Sequence, residues 1–372
     1  MRDMTRRAFL ALGATAALTA CGAQGTSEDG KASRGGGQDS AQDDGQTDGD
    51  AGQEAASAGI GAESSSGIVR PSSSGRLKAQ GTHLCDQAGN PVQLRGVSLH
   101  GLAWFGQYVN QPLFTELADS WQANVVRLPL YTAEYGGYCE GGDQAALRQL
   151  VLDGVDFARK ADLYCIVDWH VLHDLTPTTY QDQALDFFDQ VSAQLAAYDN
   201  VIYEICNEPN GPATWDQVKA YAQAVVPVIR ANDPDALVLV GTPEWCQRPD
   251  LPAADPLDLP NLMYTFHFYA ATHKDDFRTR LRQAVSGGLP LFVSEFGICD
   301  ASGSGALDTG SADAWLDLMN ELQVSWCMWS LSNKDESASV IGSSCSKTES
   351  LDDGDLAPAG VWVKDALARS AD

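Results

Sequence analysis

The stretch Val201-Ile202-Tyr203-Glu204-Ile205-Cys206-Asn207-Glu208-Pro209 is largely apolar and β-branched, and it breaks off abruptly in Asn-Glu-Pro. A short apolar run followed by a proline turn reads as a buried strand. A strand buried on both faces has no ordinary reason to finish in an amide and a carboxylate. Seven further runs have the same character, at 92–100, 124–131, 163–170, 236–245, 261–269, 290–297 and 324–332. The segments between them, at 145–160, 180–197, 214–231, 275–285 and 312–322, carry apolar residues at helical spacing with charges interposed, and 360–369 supplies a closing helix. Strands alternating with helices predict βα units and a parallel sheet. Eight such units predict an α/β fold, a (β/α)8 TIM barrel, which needs roughly 250 residues. The fifth unit, 246–260, is rich in Pro and Asp and shows no helical period. The segment 81–91, with Ala88-Gly89-Asn90 as its turn, predicts a small hairpin across the N-terminal end of the barrel.

The polar ending recurs. His100, Arg127, His170, Asn207, Glu208, Trp245, His267, Glu295 and Trp329 all fall at or near C-terminal strand ends, and in an eight-stranded barrel the βα loops at that end surround the active site. A lone strand-end glutamate is usually just capped or solvated; the coincidence of so many polar ends argues for a site. Cleaving a glycosidic bond requires a proton for a poor leaving group and a stabilised oxocarbenium-like centre, so most such enzymes carry two carboxyls flanking the bond. Glu208 and Glu295 meet that need.

The run Ile202 to Pro209 resembles the Asn-Glu-Pro strand end of family 5 glycoside hydrolases, and Leu291-Phe292-Val293-Ser294-Glu295-Phe296-Gly297 resembles the nucleophile strand of the same family. The resemblance extends from about Arg76 to the C-terminus. It implies Glu208 as acid/base and Glu295 as nucleophile of a retaining double displacement. It further implies Asn207 as the amide on the sugar 2-hydroxyl, Arg127 beneath the nucleophile, and His267 with Tyr269 as the pair that orients the nucleophile and meets the cleaved sugar. His170 and His100 match sugar-binding histidines. Trp104, Tyr131, Trp245 and Trp329 match an aromatic floor, since the flat faces of glucose rings stack on aromatic rings; Trp326, alternating with Trp329, is expected to pack outward. Lys334 and Glu336 resemble contacts to a more distant sugar in cellulase-like members. The implied activity is endo-acting hydrolysis of β-1,4-glucan, with mannan, lichenan and xyloglucan as alternative substrates on the same scaffold. No metal and no cofactor are expected.

Composition bounds the rest. A formal charge of −26 and a pI near 4.4 exclude nucleic acid as a partner, because neutralising phosphates requires clustered Lys and Arg. Arg6 and Arg7 precede an apolar run from Ala8 to about Ala20 that is too short to span a bilayer. Thr5-Arg6-Arg7-Ala8-Phe9-Leu10 resembles a twin-arginine export signal, and Leu18-Thr19-Ala20-Cys21 a bacterial lipobox. Residues 1–21 are thus expected to be a signal, with Cys21 lipidated and the protein held outside the cell on its membrane. Residues 22–75, made largely of Gly, Ser, Ala, Gln and Asp, are expected to be a disordered tether, and 76–372 the catalytic domain, acting as a monomer. Eight cysteines follow Cys21; an even number in an exported chain permits disulfides, although Cys165, Cys206 and Cys327 lie in strand-like runs that suit buried thiols. A non-catalytic lipoprotein that holds glucan is a rival reading, but it would need the tryptophans and not two carboxylates with an arginine and His-x-Tyr in orienting positions. A transglycosylase on the same scaffold would differ only in which acceptor wins.

Overall fold

The computed structural model describes residues 68–369; the signal, the lipobox cysteine and the tether up to residue 67 lie outside the described residues. Eight parallel strands close into a barrel: β1 Arg95–Leu99, β2 Val125–Tyr131, β3 Tyr164–His170, β4 Val201–Glu204, β5 Leu237–Val240, β6 Leu262–Thr265, β7 Leu291–Gly297 and β8 Trp326–Leu331. Closure is made by β8 pairing with both β7 and β1. Phe268–Tyr269 adds a two-residue parallel pairing on β7.

Among the described residues, the helices of five or more residues outside the barrel are α1 Gln111–Asp119, α2 Gln144–Lys160, α3 Gln181–Leu195, α4 Trp215–Asn232, α5 Asp250–Ala254, α6 Asp275–Ser286, α7 Thr309–Glu321 and α8 Pro358–Arg369. Helix α4 shows why such segments fold as they do. Thr214 and Gln217 form a reciprocal capping box at its start, satisfying two otherwise orphaned N–H groups. Trp215, Val218, Tyr221, Ala222, Val225, Val226 and Ile229 then supply one buried stripe against the strands. Helix α1 is absent from the sequence reading because nine residues give too short a window for periodicity; the structure caps it with Asn110, whose side chain accepts from the Leu113 N–H at 2.9 Å. The fifth unit holds only the five-residue α5, in keeping with its Pro and Asp content.

Strand alternation sorts the core into two layers. Val126, Leu128, Cys165, Val167, Tyr203 and Val293 face the helices, whereas Val125, Tyr164, Ile166, Ile202, Leu239 and Phe292 face the axis. Leu77, Leu84, Val92 and Leu94 join the inner layer from below and plug the N-terminal end; each such fully buried side chain contributes ~1.5–3 kcal/mol. The expected hairpin is there with a shifted turn. Lys78–Gln80 pairs with His83–Cys85 around Gly81, which has φ 59°, and Asp86 to Asn90 make a second turn.

Residues 69–75 fold onto the barrel where the sequence reading extends the tether. The Arg70 guanidinium donates to the Ala123 and Ala118 carbonyls at 2.6 and 2.7 Å, and Ser72 bonds Asp162. The folded body therefore begins before residue 76. All eight cysteines from Cys85 to Cys345 are free thiols, so no disulfide forms among the described residues. Trp326 is fully buried on the outer side of the sheet, edge-on to Phe296. Among the described residues no helix is long and apolar enough to cross a membrane.

Candidate active site

Regular pairing of β4 stops at Glu204, and the chain then leans on β3: the Asn207 N–H donates to the Trp169 carbonyl and the Glu208 N–H to that of Val171, both at 3.1 Å. That switch lifts Glu208 to the mouth. On β7 the device is a bulge. The register against β8 shifts between Val293 and Phe296, both of which face the helix layer, so Ser294 and Glu295 both turn toward the axis where strict alternation would admit one. A carboxylate oxygen of Glu208, one of Glu295 and a ring nitrogen of His267 all lie within 4.8 Å of one another.

Arg127 stands beneath them, fully buried, with four hydrogen bonds and a further ion pair. Nε donates to Glu204 Oε2 at 2.7 Å, Nη1 to Glu295 Oε2 at 3.0 Å and Ser98 Oγ at 3.3 Å, and Nη2 to Asn207 Oδ1 at 2.6 Å; Nη2 also forms an ion pair with Asp168 Oδ2 at 2.9 Å. The nucleophile candidate Glu295 also accepts from the Tyr269 hydroxyl at 3.0 Å. Burial and the neighbouring Glu208 push the Glu295 carboxyl up, and Arg127 opposes them. Glu208 lacks a direct cation; burial, against the pull of Arg127, raises it to about 7. The two environments thus differ as a proton donor and an ionised nucleophile require.

The histidines are held neutral by burial: His100 falls to about 3 and His267 to about 4, and His170 is lowered as well. His170 Nδ1 contacts Asp168 Oδ2 at 2.6 Å. His267 bridges Glu208 Oε1 and Ser294 Oγ, each at 2.9 Å.

Above this centre lies a cleft of about 540 Å³ lined by His100, Tyr131, His170, Glu208, Trp245, His267, Tyr269, Glu295, Trp329, Lys334 and Glu336 among others. Tyr131 packs on His170 with centroids 4.0 Å apart, and Trp329 stacks on the same ring at 5.5 Å. The Trp329–Ser330 peptide bond is cis. Lys334 Nζ meets Glu336 Oε2 at 2.6 Å and lies 3.3 Å from His100 Nε2, while the buried Glu336 Oε1 has no hydrogen-bond partner. Trp104 is set at the rim, edge-on to Tyr131 at 5.1 Å and 39% exposed. Its ring covers Gly101, where a Cβ would come within 2.5 Å of it.

Two of the sequence-derived residues have settings that the strands alone do not give. Trp245 is beyond β5, on a turn in which Glu244, Trp245 and Cys246 all have positive φ, and this turn swings its ring outward to 45% exposure. Asn207 is fully buried next to Glu208: its amide donates to the Val171 carbonyl at 3.2 Å and contacts His170 Nε2 at 3.4 Å. Sequence reasoning missed Ser98, Asp168 and Ser294, which complete the buried network. The signal for Asp168 was its position two residues before His170, on the same strand face.

Two unlike carboxyls this close, at the mouth of a barrel and under aromatic walls, define a glycoside hydrolase. Residues 85–335 match the cellulase family, glycosyl hydrolase family 5, and the chain belongs to it. It is 44% identical over 298 residues to endoglucanase A of Butyrivibrio fibrisolvens, covering 79% of this chain and 69% of that one. Against an endoglucanase of Clostridium saccharobutylicum the identity is 41%, covering 80% and 66%; the chain thus spans about two-thirds of the length of these curated relatives. Among solved structures it is similar to the catalytic domain of a Thermobifida fusca endoglucanase in complex with cellotetraose, at 38% identity and TM-score 0.77, covering 80% of this chain and 99% of that one.

Proposed function

We propose that this glycoside hydrolase is a retaining, endo-acting β-1,4-glucanase working outside the cell. The observation that carries the reading is the pair Glu208 and Glu295, with oxygens within 4.8 Å of each other and opposite proton requirements. Retaining enzymes hold their carboxyls ~5–5.5 Å apart, and inverting enzymes leave room for a water between them. Glu208 protonates the leaving oxygen while Glu295 attacks the anomeric carbon. The glycosyl-enzyme removes the charge on Glu295, which lowers the Glu208 pKa and readies it to take a proton from water.

Endo action is supported by Trp104 beyond β1 and Trp245 beyond β5, half a barrel apart, which offer platforms on both sides of the scissile bond. The glucan preference rests on Lys334 and Glu336, whose charged tips, including an unpartnered carboxylate oxygen, suit equatorial hydroxyls of a distal glucosyl unit. A digest of carboxymethylcellulose, mixed-linkage glucan, mannan and xyloglucan, with the product anomer followed by NMR, tests both points: mannan cut faster than carboxymethylcellulose, or an inverted first product, sinks the respective part. The protein is tethered through lipid on Cys21, a reading supported by the leader sequence, and acts as a monomer. Cys21→Ala should move it out of the membrane fraction with unaltered specific activity, and retention in that fraction would refute the anchor.

A further inference from the structure

Three consecutive contacts run from the acid/base down to the barrel axis. Glu208 Oε1 meets His267 Nδ1 at 2.9 Å, His267 Nε2 meets Ser294 Oγ at 2.9 Å, and Ser294 Oγ meets Glu204 Oε1 at 2.6 Å. Each contact needs one hydrogen. A neutral imidazole supplies one and the serine hydroxyl another, so the third must sit on a carboxyl at one end of the chain. If it sits on Glu208 Oε1, it points at His267 and away from the sugar, and the chain falls one hydrogen short once Glu208 has given its proton up. If it sits on Glu204 Oε1, every contact runs the other way. Glu204 donates to Ser294, Ser294 donates to His267 Nε2, and the His267 Nδ1–H donates to Glu208 Oε1. That last bond holds whether or not the remaining oxygen of Glu208 carries a proton. A residue that must be acid and then base within one turnover needs this second arrangement.

Charge counting agrees. The groups around Glu204 are Arg127 from β2, Asp168 from β3, Cys206 beyond β4, His267 beyond β6, Ser294 and Glu295 from β7, and Cys327 from β8. Arg127 is the one permanent cation there among the described residues, and three buried carboxyls, Asp168, Glu204 and the nucleophile Glu295, share it. With Glu295 ionised as the nucleophile, a charged Glu204, fully buried, would add a further negative charge that the single shared guanidinium cannot offset, in a medium that penalises it heavily. Burial pushes its carboxyl up, against the pull of Arg127.

We infer that Glu204 keeps a proton throughout the catalytic cycle and, through Ser294, fixes His267 as the Nδ1–H tautomer that holds Glu208 ready to give and take the cleft proton. This rests on Glu208 being the acid/base, and it makes Glu204 and Ser294 positioning residues that never touch the sugar. The alanine and glutamine variants of Glu204 separate the two protonation states. Glu204→Ala breaks the chain and lowers kcat/KM on cellotetraose by about a hundredfold, within the range of a general acid/base contribution. Glu204→Gln recovers most of that loss, because its amide N–H donates to Ser294 as the carboxylic acid would. A glutamine variant as poor as the alanine one would show that Glu204 works as an anion and overturn the inference.

Ser294→Ala leaves the Arg127 contact to Glu204 in place and carries the test if Glu204 variants fold poorly. It should slow cellotetraose about tenfold or more and displace the alkaline limb of the pH profile, while sparing formation of the glycosyl-enzyme from dinitrophenyl cellobioside, whose leaving group needs no acid; Ser294→Thr should restore the rate. Equal losses on both substrates would reduce Ser294 to a packing role and refute the chain. If the wild type proved to cut another β-glycan, the same comparisons on that polymer would still decide the role of Glu204.

Discussion

Replacing Lys334 by Ala tests the substrate reading where the structure gives a magnitude. Nζ is held 2.6 Å from Glu336 Oε2, and the lysine side chain remains 45% exposed. Exposure screens the ion pair itself, so its loss costs little, ~0–1 kcal/mol. A charged hydrogen bond from Nζ to a sugar hydroxyl matters more, worth ~1.5–3 kcal/mol when well formed. Allowing for solvent at the half-open site leaves about 1–2 kcal/mol of transition-state binding, or roughly 5- to 30-fold in kcat/KM. The loss should appear on cellopentaose, which reaches the distal subsite, and be much smaller on an aryl cellobioside, which does not. The assay is kcat/KM for both substrates, wild type against variant. Equal losses on the two, or none on cellopentaose, would place Lys334 outside the glucan path and refute the reasoning.

Glu208→Gln should lower kcat/KM on cellotetraose by ~10²–10⁴ with unaltered circular dichroism, and by far less for glycosylation by dinitrophenyl cellobioside; comparable losses on both would argue against an acid role. In Glu295→Gly, azide should restore turnover and yield a glycosyl azide of inverted configuration, detected by NMR; an azide product with the substrate's own configuration, or no rescue, would contradict the nucleophile assignment. Because Glu208 is raised to about 7 and must be protonated to act, kcat/KM should fall as pH rises through that value; a profile flat well into the alkaline range would break the link. Removing residues 1–67 should leave Tm unchanged, whereas removing 1–75 deletes Arg70 and strands the Ala118 and Ala123 carbonyls, at a cost of about 1–3 kcal/mol; identical melting of the two truncations would remove residues 69–75 from the folded body.

The repeating units and the pair of glutamates are legible in the amino-acid order alone. Both signals are local: apolar runs such as 163–170 and helical stripes such as Val218 to Ile229 declare their elements within one window, and Asn207-Glu208-Pro209 and Ser294-Glu295-Phe296-Gly297 interrupt such runs visibly. The remainder depends on closure of the barrel. Strict alternation along β7 would send Glu295 to the helix layer; the bulge that turns it inward is a relation between β7 and β8, invisible in either strand alone. Arg127 was legible as a strand-end cation, but that it meets residues from four other stretches of chain, Ser98, Asp168, Glu204 with Asn207, and Glu295, follows from the stagger of a closed sheet. Trp245 left its strand for a left-handed turn, which composition does not encode. The proton on Glu204 is the furthest case: it is set by counting hydrogens along contacts between β4, β6 and β7, and such contacts exist only once the barrel has closed.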